Sequence, residues 1–176
     1  MTIKRSQEGH WGYFPYAPNF TGDRSNNGGS DLTKEPHRID EIHELNETPN
    51  LKTAIKLLNS QESPFMTTGF LSERSEDGLY YGYIEYCFKP GINIDGVDIE
   101  NLDQAFLQYA LTKHGQQFAD FYQKEFLWEI HEGSVQGFPP TPVFSTYYRA
   151  RSPQEVEAEL LPLLAWLQTE FQYLIA

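Results

Sequence analysis

Polar side chains alternate along three predicted strands, and they would meet if these strands joined one sheet. The residues are Tyr81, Tyr83, Glu85, Glu129, His131 and Arg149. Tyrosine offers a stacking surface and a hydroxyl, arginine a planar fork for anions, and glutamate with histidine a capacity for acid and base chemistry. Tyr147 would extend the group. We expect either a surface that binds a ligand or a partner, or a solvated sheet face with charge pairs between strands.

Catalytic and metal-binding motifs are missing from the sequence, which contains no GxGxxG, GxxxxGK[ST], HExxH, GxSxG or CxxC. Cys87 lies in an alternating strand, which favours an inert thiol over a nucleophile. His37 and His43 are on different faces of any helix, so they cannot chelate one ion together. Residues 23–28 resemble the opening of a calcium loop, but Lys34 replaces its closing glutamate. The sequence therefore identifies no catalytic residue, and it predicts no metal site and no cofactor.

The clearest structural pattern is a hairpin over residues 65–89 that reverses at Asp77-Gly78. Glycine takes the positive φ of a tight turn without a steric clash, and aspartate tolerates it. A loop with an even number of residues predicts a core face with Phe65, Thr67, Gly69, Leu71, Tyr80, Gly82, Ile84, Tyr86 and Phe88. It also predicts an opposite face with Met66, Thr68, Phe70, Ser72, Tyr81, Tyr83, Glu85 and Cys87. A loop with an odd number would exchange these pairings.

A second hairpin is predicted from residues 125–132 and 143–151, with a proline-rich excursion between the two strands. Thr48-Pro49 has the pattern of a helix start, and residues 37–47 favour a short acidic helix. The strongest helix signal is residues 152–155, because serine at the N-cap, proline at the next position and glutamate at the third form a capping box.

The resulting fold class is α+β. The order helix-ββ-helix-ββ-helix predicts a four-stranded antiparallel sheet from two hairpins, with helices packed on one face. Residues 1–35 lack a helical or strand period but contain several aromatic side chains, so we expect an irregular N-terminal arm that docks on the domain or on a neighbouring subunit. Residues 36–176 form the single domain.

Charge and cysteine content limit the function. The 176 residues carry a formal net charge of -12, which disfavours binding to nucleic acid. A single cysteine forms no intramolecular disulfide, and no apolar run reaches the ~18 residues that a membrane helix needs. We expect a cytoplasmic protein that does not enter membranes.

Two functions follow from these patterns. The first is a protein-interaction or regulatory module of the adaptor or inhibitor type, which binds a protein partner or forms a homodimer. The alternative is a small-molecule-binding protein or enzyme that uses the Tyr/Glu/His/Arg cluster on the open sheet face. A closed pocket around the cluster would favour the alternative, and an exposed apolar patch would favour the first function.

Overall fold

The computed structural model describes residues 3–6, 13–21 and 28–171, which form helices packed on a single sheet. The strands are β1 (Lys4–Arg5), β2 (Tyr13–Phe14), β3 (Phe65–Arg74), β4 (Tyr80–Phe88), β5 (Leu127–Val135) and β6 (Pro140–Ala150). The α-helices are α1 (Pro49–Leu58), α2 (Leu102–His114), α3 (Gln116–Glu125) and α4 (Pro153–Ala165). Shorter elements are the 3-10 helices Pro36–Glu41, His43–Leu45 and Ile99–Asn101 and the π-helical turn Trp166–Glu170.

The fold is α+β with a mostly antiparallel sheet, in the order β1-β5-β6-β4-β3. β1 and β2 both pair parallel with β5. The predicted four-stranded sheet is therefore corrected to six strands, because two residues per strand are too few to show alternation in the sequence. The predicted helix order is not confirmed either, since two helices separate the hairpins. They break at Gly115, whose φ of 89° ends α2.

The main core lies on one face of the sheet. Residues of all four α-helices join one buried cluster with Phe65, Tyr86, Trp128 and Phe144 of the strands. A second, smaller cluster occupies the opposite face and consists of Phe14, Met66, Cys87, Val135 and Val143. The described part of the first 35 residues thus pairs with the edge of the sheet and covers part of its second face.

The register of β3 on β4 corrects the predicted faces of the first hairpin. Phe65 pairs with Phe88, and the two share the core face as predicted, but a bulge between Thr67 and Gly69 shifts all later pairs by one residue. Phe70 consequently packs on the main core, although it was predicted on the opposite face. Leu71 pairs with Tyr83 and leaves the core side, together with Gly69. The loop between Arg74 and Tyr80 has an odd number of residues, and the bulge compensates for it only at the base of the hairpin.

The proline-rich stretch is a strand rather than the predicted excursion. β6 begins at Pro140, and Pro142 pairs with Glu132 of β5. The pairing of β6 with β4 ends at Val143. Before that point β6 has a neighbour on one side only among the described residues, and such edge positions are where prolines are tolerated in a sheet.

The two predicted helix starts differ in the structure. The cap of α4 is confirmed, because the Glu155 backbone N–H donates to Ser152 Oγ at 3.1 Å. Thr48 precedes α1 but makes no capping hydrogen bond. The Glu157 carboxylate of α4 instead accepts from the first turn of α1, from the Asn50 N–H at 2.8 Å and the Leu51 N–H at 3.1 Å. The predicted acidic helix over residues 37–47 forms two 3-10 helices.

Candidate functional site

All six residues predicted for the site lie on the sheet face opposite the main core. We call this side the tyrosine face. Its rows follow from the pairing across β4, β6 and β5: Glu85 is opposite Ser145, which is opposite Glu129. The neighbouring rows hold Tyr83 with Tyr147, Tyr81 with Arg149, and Cys87 with Val143 and His131. Their role in binding stays a prediction.

Glu85 is the most buried acidic side chain of the six, with 6% of its surface exposed. Ser145 Oγ donates to Glu85 Oε2 at 2.9 Å, and Thr68 Oγ1 donates to Oε1 at 3.3 Å. No cation pairs with this carboxylate in the described residues. Burial raises the pKa of Glu85 to about 7, although the two hydroxyl hydrogen bonds oppose the shift. The structure therefore holds a carboxyl group that can exchange a proton near neutral pH.

Glu129 and His131 form a second group on β5, which β6 separates from β4 and Glu85. Tyr147 Oη donates to Glu129 Oε2 at 3.0 Å, and His131 Nε2 lies 3.6 Å from the same oxygen. Nε2 is buried and makes no hydrogen bond to the described part of the chain. Burial, followed by the contact with Glu129, raises the pKa of Tyr147 to about 12, so this tyrosine stays neutral and keeps its proton for donation.

Three tyrosines, Tyr16, Tyr83 and Tyr147, lie near Glu85. The rings of Tyr83 and Tyr147 meet edge to face, with 5.8 Å between their centroids. Tyr16 approaches from the N-terminal arm, where burial and then the nearby Tyr83 and Glu85 raise its pKa to about 12. Gly69 leaves room for this arrangement, because a Cβ at that position would lie 3.1 Å from Glu85 Oε1.

Arg149 and Tyr81 form a third group, which is separate from Glu85. Arg149 Nη2 pairs with Glu125 Oε2 at 2.9 Å, and Tyr81 Oη donates to Asp77 Oδ2 at 3.2 Å. The arginine therefore satisfies an acid at the end of α3 and does not neutralise the buried carboxylate. The predicted cluster shares one face but divides into three local groups.

Sequence reasoning missed Ser145, Thr68 and Tyr16. Ser145 could have been predicted from the sequence, because it alternates with Tyr147 and Arg149 along β6. Thr68 was predicted on the same face as Glu85, and its hydrogen bond to the carboxylate agrees with that face. Tyr16 reaches Glu85 only through the docking of a segment without periodicity. The Tyr16 contact has no local signal in the chain.

Two concavities border the tyrosine face. The first is a shallow groove of about 610 Å³ at the hairpin end of the sheet. We call it the groove; it is lined by Leu71, Glu73, Tyr81, Gly82, Tyr83, Lys124, Glu125, Leu127, Tyr147, Tyr148 and Arg149. The second is a deeper space of about 300 Å³ along β3, which we call the edge cavity. Tyr83 lines both.

Other chemistry finds little support in these side chains. Cys87 is buried, and burial followed by the nearby Glu85 raises the pKa of its thiol to about 12, so it is not a thiolate nucleophile at neutral pH. In the ranges that the structure describes, no three histidine, cysteine or acidic side chains are grouped to hold a metal ion. The partial calcium loop at residues 23–28 lies outside these ranges except for Gly28. No described helix has the length and apolarity to cross a bilayer.

Comparison of the chain with protein-family models, curated proteins and solved structures finds no match. The function must therefore be argued from the side chains of the tyrosine face and from the two concavities beside it.

Proposed function

We propose that the chain is a protein-interaction module of the adaptor or inhibitor type, which binds its partner through the groove. The observation that carries this proposal is apolar surface left open there. Leu127 is 59% exposed and Tyr81 is 40% exposed. Both border the edge-to-face pair of Tyr83 and Tyr147. A contiguous apolar patch on a soluble surface is typical of a protein contact site.

The charge of the groove supports the same function. The chain as a whole carries a net charge of -12. Lys124 and Arg149 equal Glu73 and Glu125 in number, so the charged side chains that line the groove add no net negative charge there. Tyrosine and arginine are also the side chains that most often contribute binding energy at the centre of an interface.

The groove accepts either a different protein or a second copy of the chain. A second copy would bring another strongly acidic surface, and long-range repulsion would weaken such a dimer at low salt. We therefore favour a different protein. Small-molecule binding is the alternative function, and the buried Glu85 carboxylate supports it.

A photo-crosslinking amino acid at position 127 tests the proposal in the native cell. Leu57 is a matched control, because it is 54% exposed and lies on α1, away from the groove. We expect a discrete adduct from position 127 and none from position 57. Leu127→Asp should reduce capture of the crosslinked partner at least tenfold, whereas Leu57→Asp should not.

Light scattering at several protein concentrations separates the two kinds of partner. A monomer, together with an adduct of a different mass, supports the heterologous partner. Equal adducts from positions 127 and 57, or no adduct from position 127 in a strictly monomeric protein, would contradict the proposal.

A further inference from the structure

The edge cavity runs along the free side of β3, which has a sheet neighbour on one side only within the described chain. Its walls come from the bulge of β3, the 3-10 helices before α1, and the N-terminal arm. Tyr16 and Tyr83 supply aromatic surface, and Ile42 and Phe70 supply apolar contacts. Its volume of about 300 Å³ is at the lower end for ligand pockets, so it fits a small molecule or a single side chain.

The charges around the edge cavity are predominantly negative. Arg38 is matched already, because it pairs with Glu41 at 3.0 Å and with Glu35 at 3.6 Å. Glu44 and Glu73 also line the cavity, and neither has an ion-pair partner in the described ranges. The edge cavity therefore lies beside two carboxylates that have no ion-pair partner among the described residues.

A third carboxylate lies one hydrogen bond behind the cavity wall. Thr68 lines the cavity and donates to Glu85 Oε1. Gly69 also lines the cavity and lies against Glu85, because a Cβ at position 69 would be 3.1 Å from Glu85 Oε1. Burial raises the pKa of Tyr83, and the nearby Glu85, Glu73 and Glu44 raise it further. Glu73 and Glu44 line the same cavity as the Tyr83 side chain.

The two tyrosines complete a setting that favours a cation. Their raised pKa values keep Tyr16 and Tyr83 neutral at physiological pH. A neutral phenol ring presents a negative π face to a cation, and its oxygen accepts a hydrogen bond. An anion would meet the carboxylates instead and would be repelled.

We infer that the edge cavity binds an organic ammonium ion, with its N–H groups on Glu44 and Glu73, its charge against the Tyr16 and Tyr83 rings, and its carbon chain on the apolar wall. The edge cavity and the groove share Leu71, Glu73 and Tyr83 in their linings, but the inference does not depend on the protein partner proposed above. An aliphatic amine supplies both the charge and the short carbon chain that this cavity fits. A lysine side chain carries the same group.

Calorimetric titration of the full chain with n-butylammonium tests the inference, with n-butanol at equal ionic strength as the neutral control. We expect saturable binding of the amine alone. The double variant Glu44→Gln/Glu73→Gln should bind at least tenfold more weakly. Glu76→Gln removes an exposed acid from the hairpin loop and should leave the affinity unchanged. Equal weakening by both changes, or no saturable binding to the wild-type protein, would overturn the inference.

Variants of Tyr83 test the aromatic wall. Tyr83→Phe keeps the ring and should bind within about threefold of the wild type, whereas Tyr83→Leu should lose most of the affinity. Thermal unfolding of both variants shows whether they fold. If the folded leucine variant binds as tightly as the wild type, the cavity is not an aromatic cation site. Leu127→Asp should leave amine binding unchanged, so the groove and the cavity can fail separately.

Nα-acetyl-lysine methylamide identifies the source of the ammonium group. Binding as tight as that of n-butylammonium assigns the cavity to a lysine side chain of another protein. Binding of n-butylammonium alone assigns it to a free amine.

Discussion

At the scale of single residues, Glu85 is the side chain whose chemistry depends most on its surroundings. Two hydroxyl donors compensate for part of its burial, but no cation does so in the described chain. Its carboxyl group has a pKa of about 7 in the folded protein against 4.5 as the ordinary value. Folding therefore takes up a proton between these two pH values, and the free energy of unfolding falls as the pH rises through this window.

Glu85→Gln should remove this pH dependence, because the amide resembles the protonated acid. The variant should match the wild type near pH 4 and exceed it by up to about 3 kcal/mol at pH 8. Urea unfolding at a series of pH values measures the difference. Glu159 also has a raised pKa, of about 8, and it contributes the same slope to both proteins. Parallel curves for wild type and variant would show that Glu85 does not titrate in this window.

Gly82 shows how tightly one residue can be fixed by its neighbours. Tyr148 crosses this position, and its hydroxyl donates to the Leu71 carbonyl at 3.0 Å. A Cβ on Gly82 would lie 1.9 Å from that carbonyl oxygen. Glycine is required here for close approach of two strands and a ring, and this position is on the core face, as the sequence predicted.

At the scale of elements, one helix is capped by a neighbouring residue in the chain and another by a distant one. Ser152 caps its own helix, and this cap is visible in the sequence. α1 is capped by Glu157 of α4, more than 100 residues later in the chain. A carboxylate at this end of α1 is also favoured by the helix dipole. The pairing of these two helices thus replaces a cap that Thr48 does not provide.

Glu157→Ala should lower the free energy of unfolding by about 1 kcal/mol, because the first turn of α1 loses its acceptor. Thr48→Val is the control, since the Thr48 hydroxyl is buried and has no hydrogen-bond partner in the described ranges. It should be neutral or slightly stabilising. Chemical denaturation measures the free energy of unfolding of both variants. An equal loss in the two would show that Thr48 contributes to the cap as much as Glu157 does.

At the scale of the whole molecule, the N-terminal arm decides which part of the tyrosine face is open. β1 and β2 lie along the outer edge of β5, and Phe14 is buried against Met66, Cys87 and Val143. None of the described residues covers the groove at the other end of the same face. The arm therefore divides one sheet face into a closed region and an accessible one.

The reactivity of the single cysteine, Cys87, measures how well the N-terminal arm covers its end of the tyrosine face. Phe14→Ala should raise the rate at which a thiol reagent labels Cys87 at least tenfold, because the ring that covers it is removed. Phe20→Ala changes an exposed ring of the same arm and should leave the rate near that of the wild type. If both variants label at the wild-type rate while remaining folded, the arm does not protect the thiol.

The sequence by itself determined the α+β class, the strand alternation that places Tyr83 and Glu85 on one face, and the cap at Ser152. These features depend on residues a few positions apart, so composition and period are enough to predict them. Only the tertiary structure decided the bulge beside Thr68, the parallel pairing of β1 and β2, the cap from Glu157 and the burial of Glu85. Each of these depends on groups that are distant in the chain and that meet only when the sheet and helices pack together. The same packing removes solvent from the Glu85 carboxyl group and thereby raises its pKa.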